Sequence, residues 1–336
     1  IRGESSSSDN FLAHPSSFEF HFSLMEIFNP EETYTLKDLK SWGFDGVSLA
    51  VLGHPVRHSI SPAMHNAAIK EMSQSNDRFS NWRYFRFEVP PEDLIHALPI
   101  FHEKGFFGLN LTVPHKEIAV GALEKVDSAA FEIGAVNTLR RLEYGYEGFN
   151  TDGYGLSEGI RRDLETSLEG KDVVILGAGG AGRAAAVEAL NRKCQSLKIV
   201  NRSQDRLKNL IQTLSPIAER FSIPLGNCSP DDSELSLPSS TIIVNATSLG
   251  LNSDDPLPLP KKHIQHSINL FDMIYNPRTT QFMELILSKG GRAANGLSML
   301  VYQGARSLEI WSGKNVNAET MNQAANAALL SREYFE

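Results

Sequence analysis

Residues 172–203 read DVVILGAGGAGRAAAVEALNRKCQSLKIVNRS, and the fold turns on how they are understood. Asp172 to Leu176 is a short apolar run of the kind that forms a buried strand. Gly177, Gly179 and Gly182, with Ala178, Gly180 and Ala181 between them, fit the pattern G-x-G-x-x-G. Ala184 to Leu190 is an Ala-rich helix, and Leu197 to Val200 is the next strand. A glycine turn placed there allows a tight bend and close backbone approach to a pyrophosphate. It also opens a helix whose free N–H groups face anionic oxygen. Alone the pattern is weak, since a glycine-rich turn can serve packing only. Between a strand and a helix it points to a dinucleotide site.

The second strand of such a unit should end beside the adenosine ribose. Here it ends Asn201-Arg202-Ser203, with Asn201 standing 24 residues after Gly177. An NAD site usually carries Asp or Glu there to hold the ribose 2′-hydroxyl. A guanidinium and a hydroxyl suit a 2′-phosphate instead, and Arg206, one helical turn on, adds charge. We therefore expect NADP rather than NAD; the alternative is a solvated surface arginine.

The surrounding chain extends this unit in both directions. Thr241 to Val244 and Asn269 to Phe271 are further strand candidates, separated by loop-like stretches at Ser229 to Ser240 and Asn252 to Lys262. An earlier series runs from about Gly46 to Gly148, with strands expected at Val47 to Leu52, Arg83 to Phe87 and Phe106 to Leu111. Helices are expected from Ser61, where Ser before Pro reads as a cap, and over Pro91 to His102. Strands alternating with helices imply an α/β protein with largely parallel pairing. Met299 to Trp311 and Ala318 to Tyr334 read as closing helices.

With 336 residues, 41% hydrophobic and 21% charged, the chain has the composition of a globular protein of about two domains. A net charge of −8 gives no electrostatic case for nucleic acid or anionic membrane as partner. Cys194 and Cys228 are the only cysteines, and neither lies in a metal-type pattern. That argues against a disulfide scaffold or zinc site and for a reducing, cytoplasmic setting. No apolar run approaches the roughly 18 residues that a membrane span needs. The polar, Ser-rich opening is neither a signal peptide nor basic enough for a transit peptide. Residues 1–30 are expected to be a weakly ordered tail; since the sequence opens with Ile, either it is processed or a fragment, or translation starts at Met25.

Other stretches carry candidate chemistry. In GLNLTVPHK, residues 108–116, an expected strand is stopped at Pro114 and a lysine follows two residues later. Lys116 is either a surface cation or a group aimed at a substrate. Ser59 and Ser61, two apart, would point their hydroxyls the same way in an extended segment, suited to a carboxylate or ring hydroxyls. Helix capping is the competing role of Ser61. Asn150-Thr151-Asp152-Gly153 falls between the two α/β series, where a turn is ordinary but a cleft also forms. Asn137 stands beside a strand, as a ligand group or merely a cap. His58 and His65 lack matching carboxylates or thiols, so no metal is expected.

Taken together the segments resemble the shikimate/quinate dehydrogenase family. The resemblance runs from about Val51 to Gly313 and rests on ordered motifs: GHPVRHSISPAMHN at 53–66, GLNLTVPHK at 108–116, IGAVNT at 133–138, GFNTDGYG at 148–155, GAGGAGRA at 177–184, VNRSQDR at 200–206, VNATSLG at 244–250, DMIYNP at 272–277 and NGLSMLVYQGARSLEIWSG at 295–313. It implies an N-terminal substrate-binding α/β domain at 46–151, completed by 296–336. A doubly wound, Rossmann-like NADP-binding domain then occupies 152–295. Residues 1–45 remain as a partly disordered extension. It implies reversible reduction of 3-dehydroshikimate to shikimate by NADPH, by a monomer or homodimer. Lys116 and Asp152 would be the catalytic pair. Ser59, Ser61, Thr112, Asn137, Tyr275 and Gln303 would bind substrate. Gly177 to Gly182, Asn201, Arg202, Ser203 and Arg206 would bind the cofactor.

Ketone reduction needs a hydride and a proton for the developing alkoxide. A lysine ammonium supplies the proton. In reverse it must first lose one, so oxidation is expected to quicken as pH rises toward about 9–10. Two domains joined near Asp152 and Asn295 could close over the substrate. Two rival readings remain: a quinate or mixed-specificity dehydrogenase, and a non-catalytic NADP-binding regulator, which would have no need of the Lys/Asp pair.

Overall fold

The computed structural model describes residues 28–333 apart from 240, 265 and 266. Two six-stranded sheets organise the molecule, one built before residue 150 and the other after residue 171. The first 27 residues, expected as part of a tail, lie outside the described residues.

Residues 28–45 are packed. Helix α1 (Leu36–Lys40) buries Leu39, and Tyr34 pairs as a single parallel bridge with Phe87. Trp42 makes edge or tilted ring contacts with Phe28, Tyr34, Phe85, Phe87 and Phe106. Such aromatic clusters anchor a short segment that has little regular structure of its own.

The first sheet contains β1 (Val47–Gly53), β2 (Trp82–Glu88), β3 (Phe106–Leu111), β4 (Lys125–Val126), β5 (Thr138–Arg141) and β6 (Tyr146–Phe149), in the spatial order β2-β1-β3-β5-β6-β4. Helix α2 (Ser61–Ser75) links β1 to β2, and α3 (Leu94–Glu103) links β2 to β3, so these three strands are parallel. Pairing is largely parallel, as expected, with an antiparallel interruption after β3. There β3–β5 and β5–β6 are antiparallel, and β5 and β6 form a hairpin. The hairpin is short and carries Arg140 opposite Glu147, so it shows no apolar run to mark it. Between β3 and the hairpin lie α4 (His115–Ile118) and α5 (Ser128–Ile133).

After β6 comes α6 (Asp152–Asp163), then the second sheet: β7 (Asp172–Leu176), α7 (Gly180–Asn191), β8 (Ser196–Val200), α8 (Gln204–Phe221), β9 (Leu225–Cys228), β10 (Ile242–Asn245), β11 (Asn269–Asp272), α9 (Gln281–Ser288) and β12 (Arg292–Ala294). Its order is β12-β11-β10-β7-β8-β9, every pair parallel. The chain winds outward from β7 to one side through β8 and to the other through β10. The gap between the carboxyl ends of β7 and β10 is therefore the switch point of a doubly wound sheet. Val173 to Leu176 are all buried, as expected of a strand covered on both faces.

Helices α10 (Leu297–Ser312) and α11 (Ala318–Glu333) return to the first sheet. Val301, Leu308, Trp311 and Met321 share one core with Leu49, Met64 and Tyr84. Trp311 Nε1 donates to the Leu139 carbonyl at 2.9 Å, which fixes α10 on the hairpin side.

Candidate active site

Strand β3 delivers Lys116. Thr112 N–H donates to the Leu52 carbonyl, which continues the β1–β3 pairing, and His115 N–H donates to the Thr112 carbonyl, which starts α4. Strand β6 delivers Asp152 to the first position of α6, where a helix N-terminus favours negative charge. The two side chains meet: Lys116 Nζ lies 2.6 Å from Asp152 Oδ2, with the carboxylate 5% and the lysine 21% exposed.

Asn137 holds this pair from behind. Its Nδ2 lies 2.9 Å from Asp152 Oδ1 and 3.1 Å from Gln303 Oε1. Its Oδ1 accepts the Thr151 N–H at 2.8 Å. Asn137 is 2% exposed, so it supports the site from the interior. Beneath it Asn110 Nδ2 donates to the Asn137 carbonyl, Thr138 Oγ1 and Ser307 Oγ, while its Oδ1 accepts the Tyr84 hydroxyl at 2.8 Å. Burial holds the pKa of this phenol well above its ordinary value. Asn110, Ser307 and Tyr84 were not picked out from the sequence. The available signal was an Asn inside the apolar strand FFGLNL.

Lys116 and Asp152 open onto a cavity of about 540 Å³ that Ser59, Ser61, Thr112, Tyr275 and Gln303 also line. One expectation about the serines is corrected. Ser61 is the first residue of α2 and Ile60 its N-cap, so residues 59–61 are not extended and Ser61 is not the cap. Instead Ser59 Oγ accepts the Ser61 N–H at 3.3 Å. Placing Pro62 at the second helical position shifts the start back by one residue from the anticipated cap. Leu251 and Met273 of the second sheet's loops and Ala181 of α7 complete the wall, so the cavity lies between the two sheets.

A second cavity, of about 350 Å³, opens at the switch point and is lined by Gly177, Ala178, Gly179, Asn201, Arg202 and Arg206, together with Ala246 to Leu249. Gly177 has φ 106, and a Cβ there would stand 2.9 Å from the Ala246 carbonyl oxygen. A Cβ on Gly182 would stand 2.2 Å from the Gly177 oxygen, so both positions require glycine. At Gly179 a Cβ would meet nothing within 4 Å: the turn leaves open space before α7. Asn201 and the other expected cofactor residues also make contacts within the protein. Asn201 Oδ1 accepts the Ala178 N–H and its Nδ2 donates to the Ser203 carbonyl. Ser203 caps α8. Gly180 faces Glu117 of α4, and Ala181 faces the Lys116 cavity. Among the described residues no cluster of metal-ligating side chains is present.

Three family models match the chain: a shikimate dehydrogenase substrate-binding domain over residues 51–139, a shikimate/quinate 5-dehydrogenase model over 160–248, and a shikimate 5′-dehydrogenase C-terminal domain over 296–325. The shikimate dehydrogenase (NADP(+)) of Methanopyrus kandleri is 37% identical over 82% of this chain and 93% of its own. A crystal structure of a shikimate dehydrogenase in complex with NADP+ superposes with a TM-score of 0.73 at 31% identity, covering 85% of this chain and 96% of that one. That of the Thermus thermophilus enzyme in complex with NADP(H) and shikimate gives 0.70 at 33% identity, covering 84% and 99%.

Proposed function

The chain belongs to the shikimate dehydrogenase family, and from that premise we propose that Lys116 and Asp152 are the catalytic pair of its reaction. That reaction is the NADP-dependent interconversion of 3-dehydroshikimate and shikimate, a step of aromatic amino acid biosynthesis. The observation that carries the assignment is the 2.6 Å contact between the two side chains at a cavity walled by both sheets.

The cofactor fits the residues present. The turn from Gly177 to Gly179 leaves a cradle at a helix N-terminus, and Arg202 and Arg206 line the same cavity. These groups would hold the pyrophosphate and the 2′-phosphate. NADPH, when bound, supplies the hydride.

The protein's own groups do the rest. Lys116 Nζ donates a proton to the substrate carbonyl oxygen as it becomes a hydroxyl, and stabilises the negative charge that develops there. Asp152 orients the ammonium through Oδ2, and Asn137 fixes Asp152 through Oδ1. In the oxidation direction Lys116 accepts the proton instead. Ser59 and Ser61 donate to the substrate carboxylate, while Thr112, Tyr275 and Gln303 contact the ring hydroxyls. We take residues 46–151 with 296–336 as the substrate-binding domain and 152–295 as the cofactor domain. Replacing Lys116 by Met should lower kcat by about 10²–10⁴-fold with little change in the KM for NADP. A kcat that survives the change would remove Lys116 from the chemistry.

Both cysteines are free, and among the described residues no helix is long and apolar enough to cross a membrane. We read the protein as acting on small molecules in the cytoplasm, as a monomer or homodimer.

A further inference from the structure

Arg86, on β2, is 4% exposed, and its guanidinium reaches three residues in two separate segments of the chain. Nη1 donates to the Ser59 carbonyl at 2.6 Å, Nε donates to Thr33 Oγ1 at 3.0 Å, and Nη2 donates to the Glu31 carbonyl. The backbone beside it is tied as well: Tyr34 N–H donates to the Arg86 carbonyl at 2.9 Å, and Glu88 N–H to the Tyr34 carbonyl at 2.8 Å. Residues 31–34 lie ahead of residue 51, where the matched substrate-binding model begins. They are nevertheless firmly seated, since Tyr34 packs against Trp42, Phe85 and Phe87.

The turn that presents Ser59 is largely exposed. Of residues 54–60 only Val56 and Ile60 are buried, while His54, Pro55, Arg57 and His58 are exposed. A guanidinium is a planar fork whose donors have fixed directions, so anchoring two arms on 31–34 fixes where the third can meet a carbonyl. Moving that carbonyl moves the Ser59 hydroxyl with it.

We propose that Arg86, braced by residues 31–34, is a positioning residue that sets Ser59 against the substrate carboxylate. The inference rests on the reading of Ser59 as a substrate contact.

The test uses the full chain and four proteins: wild type, Arg86→Lys, Thr33→Val and Ser59→Ala. Initial rates are measured with shikimate varied at saturating NADP and the reverse, beside thermal melts. Arg86→Lys keeps the charge and loses the fork. It should raise the KM for shikimate about tenfold while the KM for NADP stays within about twofold. Thr33→Val removes one brace and should raise the shikimate KM about threefold, with the KM for NADP unchanged and a melt lowered only slightly. An unchanged shikimate KM in these two folded variants overturns the proposal. So does a parallel rise in both KM values with a lowered melt, which marks a general structural role. If Arg86→Lys does not fold, Thr33→Val decides alone. If Ser59→Ala leaves the shikimate KM unchanged, the substrate role of Ser59 falls and the proposal with it. If Ser59→Ala raises it while the other two do not, only the brace is lost.

Discussion

Replacing His65 with Gln removes a titration that burial sets against the folded state. His65 lies fully buried on α2, stacked on Tyr84 with ring centroids 4.0 Å apart, and its Nδ1 is 2.9 Å from the Ser61 carbonyl. Burial lowers its pKa from 6.5 to about 4. In the unfolded chain the imidazole protonates near its ordinary value; in the fold it stays neutral. Between those two values the unfolded state binds the extra proton, so stability rises with pH. The contribution is fully present above 6.5 and is lost progressively as pH falls toward 4. By linkage the loss relative to neutral pH is about 2 kcal/mol at about pH 5 and about 3 kcal/mol near pH 4. Burial also lowers the His115 pKa and raises that of Asp272, but both groups are common to wild type and variant and cancel in the difference. Trp42, Trp82 and Trp311 all lie buried in the cores around the first sheet, so their fluorescence in urea follows the part of the protein that holds His65. His65→Gln will be less stable at neutral pH through altered packing. Its stability should nevertheless fall less steeply between pH 7 and 5 than that of wild type. Parallel curves would refute the reasoning, because they would mean that His65 titrates alike in both states.

Other expectations concern the site. Asn137→Ala removes the donor to Asp152 and should lower kcat about 10–100-fold, measured with both ligands saturating, since a buried partner is left unsatisfied. Arg202→Ser should raise the KM for NADP about tenfold or more and leave that for NAD nearly unchanged, because only NADP carries the 2′-phosphate. Gly182→Ala places a methyl against the Gly177 carbonyl, so the turn must shift. Binding of NADP should weaken and the melting temperature fall, by the equivalent of about 1–3 kcal/mol in stability.

The parts of the fold that could be read from sequence were those where local chemistry and burial agree. The run from Asp172 to Leu176, the glycine turn and the Ala-rich helix each have one physical purpose, and the second sheet follows from them. The β5–β6 hairpin was hidden because its Arg140–Glu147 pair and short strands carry no periodic apolar signal. The packing of residues 28–45 was hidden for another reason. Phe28, Tyr34, Trp42 and Phe44 are spaced irregularly and make sense only against Phe85 and Phe87 of a distant strand. At the site, Lys116 and Asp152 lie 36 residues apart yet come within 2.6 Å, and nothing short of the resemblance linked them beforehand. Asn137 was read as a substrate contact; what could not be read was that its side chain also bonds Asp152, Gln303 and Thr151. That role depends on three segments meeting in space.

Formation of reduced nicotinamide by the purified chain, with shikimate and quinate each crossed with NADP and NAD, and with Lys116→Ala run beside wild type, tests the account as a whole. It predicts turnover of shikimate with NADP, far slower turnover in the other three pairings, and a variant slowed by about 10²–10⁴-fold. Preferred turnover of quinate with NAD, or a Lys116→Ala variant as fast as wild type, would contradict it.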